Sequence, residues 1–509
     1  SAAPAATTAI FVVGLMYLAI LRSGSSGRTS GGRAAGAPAK GGKPFTPSNR
    51  AGATALSPRA SASNAGSSPV TAAGPGAVRG PVLGPGPVAE MFPDPLRPLE
   101  VEMWVEPLRQ GVSEALLTTH VVPSDHVLRS PVVTTVQGRV AADLSLFGYV
   151  GRQRVGWRIL DPRVGGRRLR AAWQVGWLRT ALPARARHLV ADVDTRLARV
   201  PALTSLHDAD LVDLLAAASP LLVTLHRDEV LVGALLPPRA GSVAAAALAE
   251  LDEARGAGLD DDETRRRSPV VLALVPPRVA APLPLPRTAH ESVLGRSPAG
   301  SAVGAREALR LRARWVQELT ARAGWALGER WAASSRLPAA GDVALLSLSE
   351  IQAVADGAGA PDDLCDRRRR AETSQASAPL PAQFQLSEGG DVVPRTRPAL
   401  GSGGVAAGGG RGAGPVCHGT PAHPPTDGDV LVVRTLDPTY APWLPGLAGL
   451  VAETGSTLSH LAILARELGV PTVVAVPDAL QRFPRGVRVV VDGVTGAVAQ
   501  LEPVEEAAP

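Results

Sequence analysis

The chain has 509 residues, a formal net charge of +6, 54 glycines, 47 prolines and two cysteines. That length accommodates two or three domains, and the cysteines, Cys365 and Cys417, allow neither a disulfide framework nor a cysteine-rich zinc site, which fits a reducing compartment. The basic excess sits in a tail: Ser1 to Ala89 holds eight basic residues and no acidic one, leaving 44 basic against 46 acidic side chains beyond it. Aromatic residues make up 3% of the chain, too few for base stacking, so no nucleic-acid partner is expected for the globular part.

At the N-terminus, Ala5 to Leu21 is an uncharged apolar run of 17 residues followed by Arg22, Arg28 and Arg33. It is at the short edge of a membrane span, and the basic residues behind it would keep the rest of the chain cytoplasmic. Residues 1–22 therefore read either as a membrane anchor helix or as an apolar stretch at the start of an incomplete chain. Residues 23–88 are rich in Gly, Ser, Ala and Pro without hydrophobic periodicity, the composition of a disordered linker. Both lysines, Lys40 and Lys43, lie there, so the folded part has no Walker-type GxxxxGKS/T loop to cradle a nucleotide.

Folded character starts near "EMFPDPLRPLEVEMW", and residues 89–375 are predicted to form a mostly helical central domain. Apolar residues recur at helical spacing in "RLRAAWQVGWLRTALPARARHLVADVDTRLARV" and "SLHDADLVDLLAAASPLLVTLHRDEVLVGALL". A long amphipathic helix is predicted over Ala305–Ala333, with Leu309, Trp315, Leu319 and Trp331 marking its apolar face. Ser347 and Glu350 have the spacing of a capping box that opens another helix.

Residues 376–398 read as a second linker, and glycines crowd Gly401 to Gly414. From there the pattern turns to β-branched runs bounded by Gly, Pro and Asp: Asp429–Thr435, Gly449–Glu453, Pro471–Val476 and Arg488–Gly493, with one helix at about Ser459–Leu468. The fold class is therefore multidomain, α followed by α/β.

In "ETGSTLSHLAILARELGVPTVV", His460 falls in the first turn of that helix, after a turn of small hydroxyl residues. Helix N-termini offer amide donors and a positive dipole end, a site for phosphate. A neutral imidazole is a competent nucleophile toward phosphorus. Ser456, Thr457 and Ser459 are placed to donate to phosphoryl oxygens or simply to cap the helix. A metal role is not expected: neither HExxH nor paired cysteines occur, and nothing in the spacing of His418 and His423 ties them to His460.

"GDVLVVRTLDP", "GLVAETGSTLSHLAILARELGVPTVVAV" and "GVRVVVDGVTGAV" together resemble the swivelling phosphohistidine domain of the phosphoenolpyruvate-utilising enzymes, over about residues 399–503. The upstream helical pattern is similar to the rifampicin phosphotransferase-like branch. The resemblance implies a phosphotransferase whose histidine, here His460, takes a phosphoryl group at an ATP site and swings to an acceptor. Many members have T-S-H where this chain has Leu458-Ser459-His460, so control through a threonine at that position is not expected. No ATP-grasp domain precedes the helical region in this sequence. The recognised domains are thus expected to bind no cofactor themselves, with ATP and Mg2+ held in an ATP-grasp partner subunit or missing domain and a small molecule as acceptor. The alternative is a non-catalytic regulatory or scaffold remnant.

Overall fold

The computed structural model describes residues 80–88, 90–147, 162–237, 242–286, 304–381, 383–395, 403–419, 423–455, 457 and 459–501. The apolar segment 5–21 and residues 23–79 of the tail lie outside them.

Folded structure begins inside the stretch read as linker. Strand β1 (Leu83–Gly84) pairs with β3 (Arg139–Asp143) and β4 (Phe384–Leu386), and Leu83 is buried. With β2 (Val133–Val136) and β5 (Val392–Pro394) these make an antiparallel sheet in the order β2-β3-β1-β4-β5. This corrects two expectations. The linker at 376–398 contains the β4–β5 hairpin, and the central region carries a sheet as well as helices. Strands of two to five residues are too short to show a period, and their partners lie far along the chain.

The helical part is built around α1 (Glu106–Thr119), α3 (Pro162–Ala198), α4 (Asp208–Leu235) and α7 (Ala305–Ala333), with short α2 (Ser124–Arg129), α5 (Val243–Gly256) and α6 (Asp261–Arg267) between them. Helix α7 spans the predicted range. Leu309 and Trp331 are buried, whereas Trp315 and Leu319 are only partly covered; Val316, Ala323 and Leu327 complete the buried stripe. Helix α4 is long and apolar enough to cross a membrane. It packs instead between α1 and α7 and buries His226, Asp228 and Glu229 as a core helix. The capping box opens α8 (Leu348–Ala355): Ser347 Oγ accepts the Glu350 amide at 3.2 Å and Glu350 Oε2 accepts the Ser347 amide at 2.8 Å. Helix α9 (Leu364–Ala376) leads to the β4–β5 hairpin.

The C-terminal part is a seven-stranded mixed sheet, ordered β12-β11-β7-β8-β9-β10-β6. Strands β8 (Val430–Val433), β9 (Gly449–Ala452), β10 (Thr472–Val474) and β11 (Arg488–Asp492) fall within the predicted runs. Helix α10 (His460–Glu467) lies within the predicted helix, and short α11 (Ala479–Arg482) follows β10. Strands β7, β8, β9 and β10 run parallel, while β6, β11 and β12 (Ala497–Gln500) join antiparallel.

The glycine-rich stretch supplies β6 (Val405–Gly408) and β7 (Arg411–Cys417). Its glycines serve close packing: a Cβ on Gly414 would stand 2.0 Å from the Gly428 carbonyl oxygen. Backbone bonds from Gly404 to Gly496 (2.8 Å) and from Gly408 to Gly493 (2.9 Å) curl the sheet, bringing edge strand β6 back to the β11–β12 turn.

The curled sheet is apolar on both faces. Val430, Val432, Val451, Val489 and Val491 fill its inside. Leu431, Val433, Leu450 and Ala452 pack outward with Leu461, Leu464 and Ala465 of α10. That outer layer continues without a break into Ala247, Leu248 and Leu251 of α5 and Val271 and Leu272 beyond α6. Helical part and sheet thus share one buried seam.

Candidate functional site

The site is a β-turn-α unit at the carboxyl end of the parallel strands, where open α/β sheets hold their ligands. Strand β9 ends at Ala452. Glu453 and Thr454 then return to the neighbouring strand: the Glu453 amide donates to Val433 O (3.0 Å), and both the amide and hydroxyl of Thr454 donate to Arg434 O (2.8 and 2.9 Å). Gly455 has φ +132°, and a Cβ there would lie 3.1 Å from Leu436 Cδ1 and 3.8 Å from Glu90 Oε1. A side chain is strained in that conformation, so the turn requires glycine.

Ser459 caps the helix. Its φ of −64° and ψ of 153° are extended, and its buried Oγ accepts the Ala462 amide at 3.0 Å. His460 follows as the first helical residue of α10, at the positive end of the dipole. Of the predicted hydroxyls, Ser459 takes the capping role and Thr457 lies partly exposed in the turn; Ser456, Leu458 and the side chain of His460 lie outside the described residues.

The A-R-E-L-G-x-P motif ends the helix. Gly469 has φ +74°, its amide donates to Arg466 O (3.2 Å), and the Val470 amide donates to Ala465 O (2.8 Å). The V-D-G motif makes the β11–β12 turn, where Asp492 Oδ1 accepts the amides of Val494 (3.0 Å) and Thr495 (2.9 Å). Those bonds hold the Asp492 carboxyl below its usual range. Both motifs sit at the amino ends of the parallel strands, at the other end of α10 and the sheet from the turn before His460.

His418 Nε2 is 2.9 Å from Phe483 O. Among the described residues no group of three or more His, Cys, Asp or Glu side chains is placed to hold a metal. Burial pushes the Cys417 thiol up, which makes it an inert packing residue.

Residues that sequence reading passed over line the approach. Arg434 Nη1 stands 3.6 Å from Glu453 Oε2, and Glu453 Oε1 accepts the Leu480 amide at 3.0 Å, tying the turn to α11. Across the seam, Glu90 lines a narrow cleft of about 50 Å³ with Arg310, Arg314, Gln317 and Pro438. The three α7 residues recur at i, i+4 and i+7, one helix face. Burial lowers the Arg314 guanidinium against the opposing pull of Glu318, whose Oε2 is 3.0 Å from Nη2. The signal was present in sequence as arginines at helical spacing, but which face lined the cleft with Glu90 was not.

Comparison with known proteins centres on the same unit. Residues 425–496 match the family model "PEP-utilising enzyme, mobile domain". Phosphoenolpyruvate synthase of Aeropyrum pernix is 42% identical over 71 residues, 14% of this chain and 9% of that protein. Rifampicin phosphotransferase of Streptomyces sviceus is 42% identical over 74 residues (14% and 8%), and that of Bacillus subtilis 40% over 72 (14% and 8%). The chain thus spans less than a tenth of the length of these relatives. An NMR solution structure of Enzyme I aligns with 37% of this chain and 54% of its own at 16% identity and a TM-score of 0.16, too low to carry an argument. From just before strand β8 to the turn after β11, this chain is similar to the mobile domain of the phosphoenolpyruvate-utilising enzymes.

Proposed function

We propose that His460 is a phosphoryl carrier, accepting the group from an ATP-grasp partner subunit or domain and passing it to a small-molecule acceptor. The observation that carries this reading is the position of His460 as the first residue of the Ser459-capped helix inside the segment matching the mobile-domain family. Ser459 fixes the helix start, so the end of α10 faces whatever the histidine holds with its dipole and amides. The imidazole nitrogen attacks a phosphorus of ATP and the phosphate ester or anhydride bond opposite it breaks; the acceptor's hydroxyl oxygen then attacks the phosphoramidate, its P–N bond breaks, and the hydroxyl proton leaves as the neutral imidazole is released. ATP and Mg2+ belong to the partner, since the phosphate-cradling lysine loop is missing from the residues that form this chain's folded part. The reading places the folded part in the cytoplasm, where ATP is available.

The test is radiolabelling with ATP labelled in its β- or, separately, its γ-phosphate. Label is expected with the cognate ATP-grasp partner and Mg2+, and none with ATP alone. It should be lost in acid and kept in base. His460→Ala should abolish it, whereas His418→Ala and His423→Ala should retain it. Label surviving in His460→Ala would overturn the assignment. A chain that takes no label beside an active partner would be a regulatory scaffold instead.

A further inference from the structure

Helix α3 has two apolar faces, and only one is used. Val175, Leu178, Leu182, Ala186 and Val193 are buried against α1, α4 and α7. On the opposite side Leu169, Trp173 and Trp177, at i, i+4 and i+8, are 75%, 69% and 54% exposed. These are among the largest apolar exposures in the described residues, and they lie on one stripe about 12 Å long. Charge around the stripe has one sign. Residues 162–191 contain seven arginines and no Asp or Glu, and Arg170, Arg179 and Arg187 are exposed.

We propose that this face of α3 rests on an anionic lipid bilayer, with Leu169, Trp173 and Trp177 in the headgroup boundary and the arginines on lipid phosphates. A helix of this composition lies in the plane of the interface, its apolar side about 5–10 Å deep. Tryptophan favours that depth because its ring is apolar while its N–H still finds a polar partner. The absence of acidic residues removes the repulsion that the negative leaflet would otherwise impose. Charge also argues against a second copy as the occupant, since pairing two such faces would bring arginine onto arginine. The contact is separate from the phosphohistidine chemistry and does not depend on it. It would place the carrier at a surface where an amphiphilic acceptor collects.

The test is flotation of the full-length chain with phosphatidylcholine vesicles, with and without phosphatidylglycerol. The chain should float with the anionic vesicles and be released by salt. Trp173→Ser with Trp177→Ser, and separately Arg170→Gln with Arg179→Gln, should each weaken partitioning by roughly tenfold. Because these side chains are exposed, thermal melting should not change. The comparison of variant with wild type also removes any contribution of residues 5–21, which all the proteins share. A double tryptophan variant that floats as well as wild type would overturn the proposal. So would equal binding to neutral vesicles, or a chain that ignores vesicles but forms a tryptophan-dependent complex with a soluble acidic protein.

Discussion

Ser459 shows how one side chain decides the geometry of a site. Its Oγ is committed to the Ala462 amide, so α10 begins at His460 and not a residue later. Replacing it by alanine removes the cap and leaves a buried amide short of an acceptor. Ser459→Ala is expected to cost about 1–2 kcal/mol in urea unfolding, with lower phosphoryl label on His460 at equal protein. The glycines of β7 set geometry in the opposite way, by what they lack. Gly414→Ala would push a methyl group into the Gly428 carbonyl oxygen, at 2.0 Å. Backbone cannot yield there without parting β7 from its neighbours. The variant is expected to lose more than about 2 kcal/mol and to show it as a lower melting temperature.

Among elements, α8 and α9 are held by a charge pair that reports on pH. Arg367 donates to both oxygens of Glu350 at 2.7 Å, while Glu350 also closes the capping box with Ser347. The Arg367 hydrogen bonds, opposed by burial, hold the Glu350 carboxyl below its usual value of 4.5. A depressed folded value means stability that is present above pH 4.5 and lost as pH falls through the folded value. Wild type should therefore exceed Glu350→Gln in stability at neutral pH, and the gap should close below pH 4.5. A gap independent of pH, in melts across that range, would place the contribution in packing rather than charge.

The same elements show how much was readable in advance. The long helix α7 and the capping box were legible because their signals repeat within a few turns. Strands β8 to β11 were legible because β-branched residues buried on both faces leave a continuous apolar run. Strands β6 and β7 were not, since glycine there answers to a neighbouring backbone that only the folded sheet brings close.

At the scale of the whole molecule, the seam between the α5 region and the sheet would have to open for the proposed carrier to swing. Leu248 is fully buried in it, and Ser242 Oγ donates to Glu467 Oε2 at 2.7 Å across it. Leu248→Ala is expected to cost about 2–5 kcal/mol, measured by urea unfolding. Ser242→Ala removes that charge-assisted bond, worth about 1.5–3 kcal/mol, and also the N-cap bond its Oγ accepts from the Ala245 amide at 3.2 Å, worth about 1 kcal/mol. If undocking limits loading, Ser242→Ala should label His460 faster than wild type with the ATP-grasp partner. An unchanged rate would mean that loading takes place with the seam closed.

What the sequence determined by itself is local. The hydroxyl turn, Ser459 and the apolar periodicity of α10 put His460 at a helix start, because capping and helical spacing act over a few residues. The glycine and proline signals of the turns worked at the same short range. Tertiary structure decided the rest. It made strands of glycine-rich and linker-like segments, set Glu90 beside the turn and in one cleft with Arg310 and Arg314, and joined the sheet to α5 through one apolar seam. Each of those outcomes depends on residues far apart in the chain meeting at atomic contact, and no local pattern records which distant backbone or helix face will arrive.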